Sequence, residues 1–109
     1  CYANLYPSLF EGFGLPVLEG MQFGAATLCS NSTSLPEVAG EAAILLSPDD
    51  TDGWAAAMCR LAGQRGERDS LREAALARAA GFDWATSARQ LLELYEEALA
   101  YPKRTGAIP

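Results

Sequence analysis

An apolar, aromatic run from Tyr2 to Phe10 leads into Glu11-Gly12-Phe13-Gly14-Leu15-Pro16-Val17-Leu18-Glu19, and no other stretch constrains the fold so tightly. The run reads as a strand closed by Pro7 and Ser8. Two glycines then supply a turn, and Pro16 suits the first turn of a helix, where a missing N–H costs little. Strand, glycine turn and helix in that order form an arrangement that binds phosphates. The turn lets backbone N–H groups approach a ligand, and the helix N-terminus adds partial positive charge. Glu11 and Glu19, eight positions apart, bracket the turn. Glu19 falls near the start of the helix, with its side chain free to reach toward the turn. A carboxylate only accepts hydrogen bonds, so its natural partners are hydroxyl pairs such as those of a ribose or a hexose. The chemistry suggested is recognition of a phosphorylated sugar.

The rest of the chain alternates in the same manner. The spacing predicts a helix over Leu15–Phe23, stopped by Gly24, and a buried parallel strand over Ala25–Ser30. After the polar loop Asn31-Ser32-Thr33, the Ser34…Glu37 spacing matches a capping box and opens a short helix that ends at Gly40. A third strand covers Ala43–Leu46. Ser47-Pro48-Asp49-Asp50 then turns into a helix reaching about Ala62, with Trp54, Met58 and Leu61 as its apolar stripe. Gly63 to Gly66 breaks that helix, and Leu71, Ala75, Leu76 and Ala79 mark the next, from about Glu67 to Ala80. Asp83 caps a last helix on which Trp84, Ala88, Leu91, Leu92, Tyr95 and Leu99 recur at helical spacing. Trp54, Trp84 and Tyr95 all read as core.

Strands alternating with helices predict an α/β fold: a Rossmann-like layered arrangement with a short parallel sheet, flanking helices and right-handed crossovers. Residues 1–101 form one domain and 102–109 a tail. In an open sheet of this kind ligands sit at the carboxyl ends of the strands, which is where Phe10–Gly14, Ser30–Ser34 and Ser47–Asp50 fall. Gly12 and Gly14 serve either as turn glycines with positive φ or as points of close ligand approach. Phe13 is either core or the lining of a sugar pocket.

Acidic residues outnumber basic ones 14 to 8, for a net charge of −6. That balance argues against sequence-independent nucleic-acid binding, which needs a basic footprint. Cys1, Cys29 and Cys59 fit neither a disulfide framework nor a zinc site, and read as small buried thiols of a reduced, cytoplasmic chain. The absence of histidine excludes a His general base from this chain. No apolar run approaches membrane-spanning length, and nothing resembles a signal peptide. Asp49, Asp50 and Asp52 invite a divalent metal, but Asp is a preferred residue at a helix start, and capping is the reading adopted here. Arg65, Arg68 and Arg72 read as a solvated face. The chain opens on Cys1 directly in a strand-like run, from which a piece of a longer protein is expected.

Glu11 and Glu19 resemble the E-x7-E element of retaining glycosyltransferases of the GT-B architecture, the large family four, also called glycosyl transferases group 1. Pro7 to Met21 is close to that family's usual run, Ser30 and Ser34-Leu35-Pro36-Glu37-Val38-Ala39-Gly40 resemble its next block, and Ile44 to Asp50 the one after. The resemblance implies the C-terminal, donor-binding portion of a hexosyltransferase, preceded in the parent by an acceptor-side domain. It implies that Glu11 is catalytic, facing the transferred sugar and meeting positive charge at its anomeric carbon. It further implies that Gly12, Phe13, Gly14 and Leu15 line the donor site, that the Leu15 N–H meets a phosphate oxygen, and that Glu19 holds the ribose. No metal and no cofactor are implied. The donor is a nucleoside diphosphate sugar of the GDP-mannose or UDP-glucose type, with mannose favoured because the Ser30–Gly40 block resembles bacterial mannosyltransferases. The acceptor is a carbohydrate or lipid-linked hydroxyl, reached through the absent N-terminal domain. The parent is expected in the cytoplasm, with peripheral attachment to the inner membrane left open.

One departure stands out. The family supplies a basic pair for the donor diphosphate from upstream of the E-x7-E block, and no Lys or Arg precedes Arg60 here. The chain alone is therefore expected to bind donor weakly and to be inactive, and its cut sheet edge is expected to promote self-association. The alternative function is a non-catalytic module that binds nucleotides or sugar phosphates.

Overall fold

Every residue of Ala26–Ser30 is buried, which is how a central strand of a parallel sheet, covered on both faces, has to be built. The computed structural model describes residues 1–101 and arranges them as β1 (Ala3–Tyr6), α1 (Leu15–Gln22), β2 (Ala26–Ser30), α2 (Leu35–Ala39), β3 (Ala43–Leu46), α3 (Thr51–Gly63), α4 (Arg65–Ala79) and α5 (Trp84–Ala100). The tail assigned to 102–109 lies outside the described residues. The sheet order is β1-β2-β3 with both pairings parallel. Tyr6 stands opposite Cys29, and Ser30 opposite Leu46, so the carboxyl ends of the strands align. The α/β layer with a short parallel sheet and flanking helices is the one the alternation predicts.

Strand parity divides the core in two. Tyr6, Cys29 and Leu45 face one side, where Val17, Met21, Leu35, Val38, Ala75 and Ala79 cover them from α1, α2 and α4. Ala3, Ala26, Leu28, Ile44 and Leu46 face the other, beneath Trp54, Ala57 and Leu61 of α3. The two buried polar side chains of β2 are satisfied: Thr27 Oγ1 donates to Ala25 O at 3.1 Å, and Ser30 Oγ to Tyr6 O at 3.5 Å.

Helix ends follow local chemistry at several points. At the end of α1, Gly24 takes φ 65°. Its N–H reaches Met21 O while the Ala25 N–H reaches Gly20 O, the paired bonds of a Schellman motif. Asp50 accepts from the Gly53 N–H and Asp83 from the Thr86 N–H, so both aspartates cap as expected. The bonds from Thr86 hold the Asp83 carboxyl below its ordinary range.

The structure corrects several expectations. β1 stops at Tyr6, and Leu9 and Phe10 are exposed in the loop that follows. A single residue, Gln64, separates α3 from α4, and Gly66 lies within α4 rather than in the break. Met58 is half-exposed and Ala57 takes its place in the α3 stripe. Of the arginines read as a solvated face, Arg65, beside Asp69 at 3.4 Å, and Arg72 stay exposed, while Arg68 is half-buried. Arg68 donates to Leu61 O and lies 4.4 Å from the Tyr2 ring centroid, and Arg72 donates to Gly24 O at 2.8 Å. Only Cys29 is buried; Cys1 and Cys59 are exposed. Burial pushes the Cys29 thiol up to about 11, which keeps it protonated and unreactive. The largest correction concerns α5. None of its residues is buried, and Trp84 and Tyr95, read as core, are exposed.

Candidate functional site

The carboxyl ends of β1 and β2 release two loops that hydroxyl groups sew together. Ser32 Oγ donates to Ser8 O at 3.1 Å, and the Glu11 N–H donates to Thr33 Oγ1 at 3.1 Å. Ser34 Oγ donates to Glu11 O at 3.0 Å and to Phe13 O at 2.9 Å. Ser34 therefore does not form the capping box its spacing with Glu37 suggests. It precedes α2 without a side-chain cap bond, because two non-local carbonyls take its hydroxyl. Thr33 sits at φ 52°, a left-handed conformation unusual for a β-branched residue. The strain is local to the bond that Thr33 makes with Glu11, and stored strain of this kind clusters at functional loops.

Glu11 is the most tightly held side chain of this edge. Its Oε1 accepts from the Tyr6 hydroxyl at 2.6 Å and from Ser8 Oγ at 2.8 Å. The bond from Tyr6, and secondly that from Ser8, hold the Glu11 carboxyl below the usual carboxylate range. The same bond pushes the Tyr6 phenol up. Glu11 is thus an ionised acceptor.

The glycines part company. Gly14 is buried at φ 101° and serves as the N-cap of α1, with the Leu35 side chain where a Cβ would project. Gly12 is exposed, does not share that positive φ, and has open space where a Cβ would go. In the first turn of α1 the Val17 and Leu18 N–H groups are directed to Gly14 O, Pro16 has none, and the Leu15 N–H has no acceptor within the helix.

Phe13 is half-exposed and packs edge-on against Phe82, ring centroids 6.1 Å apart. Both rings line two neighbouring clefts. The larger, about 540 Å³, has Leu15, Leu18 and Glu19 on one wall and Trp84 on the other. The smaller, about 420 Å³, is bounded by Gly12, Ser34, Glu37 and Arg78. Glu19 is exposed at the fifth position of α1, past the first turn, so the helix dipole does not account for it. Glu11 lines neither cleft. The structure gathers Gly12, Phe13, Gly14 and Leu15, sets Glu19 one turn along α1, and leaves Glu11 half-buried outside both clefts, bonded to Tyr6 and Ser8. At this edge the Asn31 N–H, just past β2, donates to Leu46 O, the last residue of β3, at 2.8 Å.

Sequence reasoning missed Tyr6, Ser8, Thr33 and Arg78. Arg78 reaches from α4 to donate to Val38 O at 3.0 Å and to Glu37 O, with its guanidinium over the Phe82 ring. The run of hydroxyl residues from Ser30 to Ser34 was the available signal for the stitching; nothing local announces Arg78. Among the described residues, no group of three His, Cys, Asp or Glu side chains is placed to hold a metal ion.

A parallel sheet with a glycine turn at its carboxyl edge and a helix opening behind it defines an α/β layer of the kind that takes ligands beyond its strand ends. The family model for glycosyl transferases group 1 matches residues 1–64. The chain is 43% identical over 96 residues to the O-antigen chain mannosyltransferase B of Escherichia coli, covering 84% of this chain and 24% of that protein. It is 40% identical over 107 residues to the serotype-specific mannosyltransferase WbdA of Escherichia coli, covering 98% of this chain and 13% of that one. Sucrose-phosphate synthase from Thermosynechococcus elongatus superposes with a TM-score of 0.78 at 27% identity, over 88% of this chain and 25% of that one. The chain belongs to the glycosyl transferases group 1 family. It spans a quarter or less of the length of these relatives.

Proposed function

We propose that the chain is the donor-binding part of a retaining mannosyltransferase that moves mannose from a nucleoside diphosphate to a carbohydrate or lipid-linked hydroxyl. The observation that carries this reading is the stitched loop, with ionised Glu11 ahead of Gly14 and the opening of α1, in a chain 43% identical to a mannosyltransferase. Glu11 accepts a hydroxyl of the sugar and meets positive charge at the anomeric carbon. The Leu15 N–H and the α1 terminus meet the diphosphate. Glu19, on the wall of the larger cleft, accepts from the ribose hydroxyls. Neither metal nor cofactor takes part, and the reaction takes place in the cytoplasm. The chain alone transfers no sugar, because no Lys or Arg precedes Arg60 to meet the diphosphate at the glycine turn.

Ligand-observed NMR with GDP, UDP, GDP-mannose and UDP-glucose tests the reading. Weak, selective saturation transfer to GDP and GDP-mannose is expected, and it disappears in Glu19→Ala. Transfer that survives the substitution, or that favours no nucleotide, would count against it; transfer to UDP compounds would reassign the donor base.

The sheet supports one further expectation. Among the described residues, β1 and β3 each have one unpaired edge, and such edges recruit strands. The chain self-associates with rising concentration, and a constant monomer mass by light scattering would refute this.

A further inference from the structure

We propose that Tyr6 and Ser8 are positioning residues that lock the Glu11 carboxylate so that a single oxygen, Oε2, is presented to the donor sugar. The inference rests on the reading of Glu11 as the sugar-facing carboxylate and adds how it is aimed. Glu11 is held at three of its four polar atoms. Its N–H donates to Thr33 Oγ1, its carbonyl accepts from Ser34 Oγ, and its Oε1 accepts from both Tyr6 and Ser8. Both side-chain donors converge on Oε1, at 2.6 and 2.8 Å, and neither is spent on Oε2. A free glutamate on a loop would sample many rotamers and lose that entropy on binding. Here the two hydroxyls have already removed it, which is what preorganisation of an electrostatic contact requires.

The chemistry selects a hydroxyl donor. An ionised oxygen with no proton of its own accepts a bond from a sugar O–H and repels a second anion, so Oε2 reads the sugar rather than the diphosphate. The bonds that aim the carboxylate also keep it charged, and they come from neutral hydroxyls rather than from a cation. Around Glu11, β1 contributes the titratable Tyr6, while Thr33 and Ser34 on the facing loop do not titrate. Glu37 of α2 and Arg78 of α4 line the cleft beside Gly12. Because the folded carboxyl titrates below its ordinary range, removing a hydroxyl raises it, and the acid limb of sugar binding moves to higher pH.

Two readouts on the same chain test this. The Glu11 carboxyl carbon is followed by NMR against pH in the native chain and in Tyr6→Phe, Ser8→Ala and Ser8→Thr. The midpoint is expected to rise in Tyr6→Phe, to rise less in Ser8→Ala, and to return toward native in Ser8→Thr. Tyr6→Phe keeps the ring in the core, so the fold is retained. In parallel, the affinity ratio between GDP-mannose and GDP is measured. It is expected to fall by about tenfold in Tyr6→Phe, with GDP affinity unchanged. An unmoved midpoint in Tyr6→Phe overturns the proposal, as does a loss shared equally by GDP and GDP-mannose. Midpoints that move as expected in a chain binding neither nucleotide would support the locking of Glu11 and overturn only the donor reading.

Discussion

Gly14→Ala is expected to destabilise the chain by about 3 kcal/mol, while Gly12→Ala changes stability by less than about 0.5 kcal/mol. Two terms add at Gly14. Its φ of 101° lies in the region that a Cβ disfavours, a penalty of about 1–2 kcal/mol. The new methyl would also meet the buried Leu35 side chain, and overpacking of this kind costs about 1–3 kcal/mol. Gly12 has neither problem. Urea unfolding of the two variants decides the matter: the Gly14→Ala midpoint should drop with an unchanged slope. Equal midpoints would mean that α1 shifts away from α2 at no cost. Because Gly14 opens α1, its replacement is also expected to weaken donor binding, even where the chain remains folded.

The second large effect separates two tryptophans. Trp54→Ala is expected to cost about 3–5 kcal/mol, and Trp84→Ala less than about 0.5 kcal/mol. Trp54 is 7% exposed against the sheet and its Nε1–H donates to Ser47 O at 2.9 Å, so truncation opens a cavity and removes one of the two bonds that carbonyl accepts, the other coming from the Asp50 N–H. Trp84 is 85% exposed at the start of α5. Thermal unfolding followed by circular dichroism reads the contrast. A comparable loss at Trp84 would show that α5 is packed in solution in a way the structure does not describe.

That contrast marks what was legible in the sequence and what was not. Periodicity placed the strands and helices to within a few residues, because the chain must bury one face of each. Periodicity says that a helix has an apolar stripe, not that anything covers it. The stripes of α3 and α5 read alike, yet only α3 has a sheet beneath it. The capping box at Ser34 failed for a related reason: local spacing was satisfied, but two carbonyls distant in sequence took the hydroxyl. Glu11, Gly14 and Leu15 were legible as a loop leading into a helix. Tyr6 and Ser8 were not, since a tyrosine near the end of a short strand reads as core until its hydroxyl is seen against a carboxylate. Glu19, expected in the first turn of a helix correctly placed from Leu15, is the fifth residue of α1 and lies just past that turn.

The order of the sheet also sets an order of assembly. Each strand pairs with the one before it in the chain, and a single helix joins them, so a chain emerging from the ribosome adds each strand to one already made. The α1–α2 face is different. Val17, Met21, Leu35 and Val38 wait for Ala75 and Ala79 of α4, and that helix is pinned to the ends of α1 and α2 by Arg72 on Gly24 O and Arg78 on Val38 O. Until α4 has been synthesised, the face behind the glycine turn has no cover, and the loop that presents Glu11 rests on an unfinished wall.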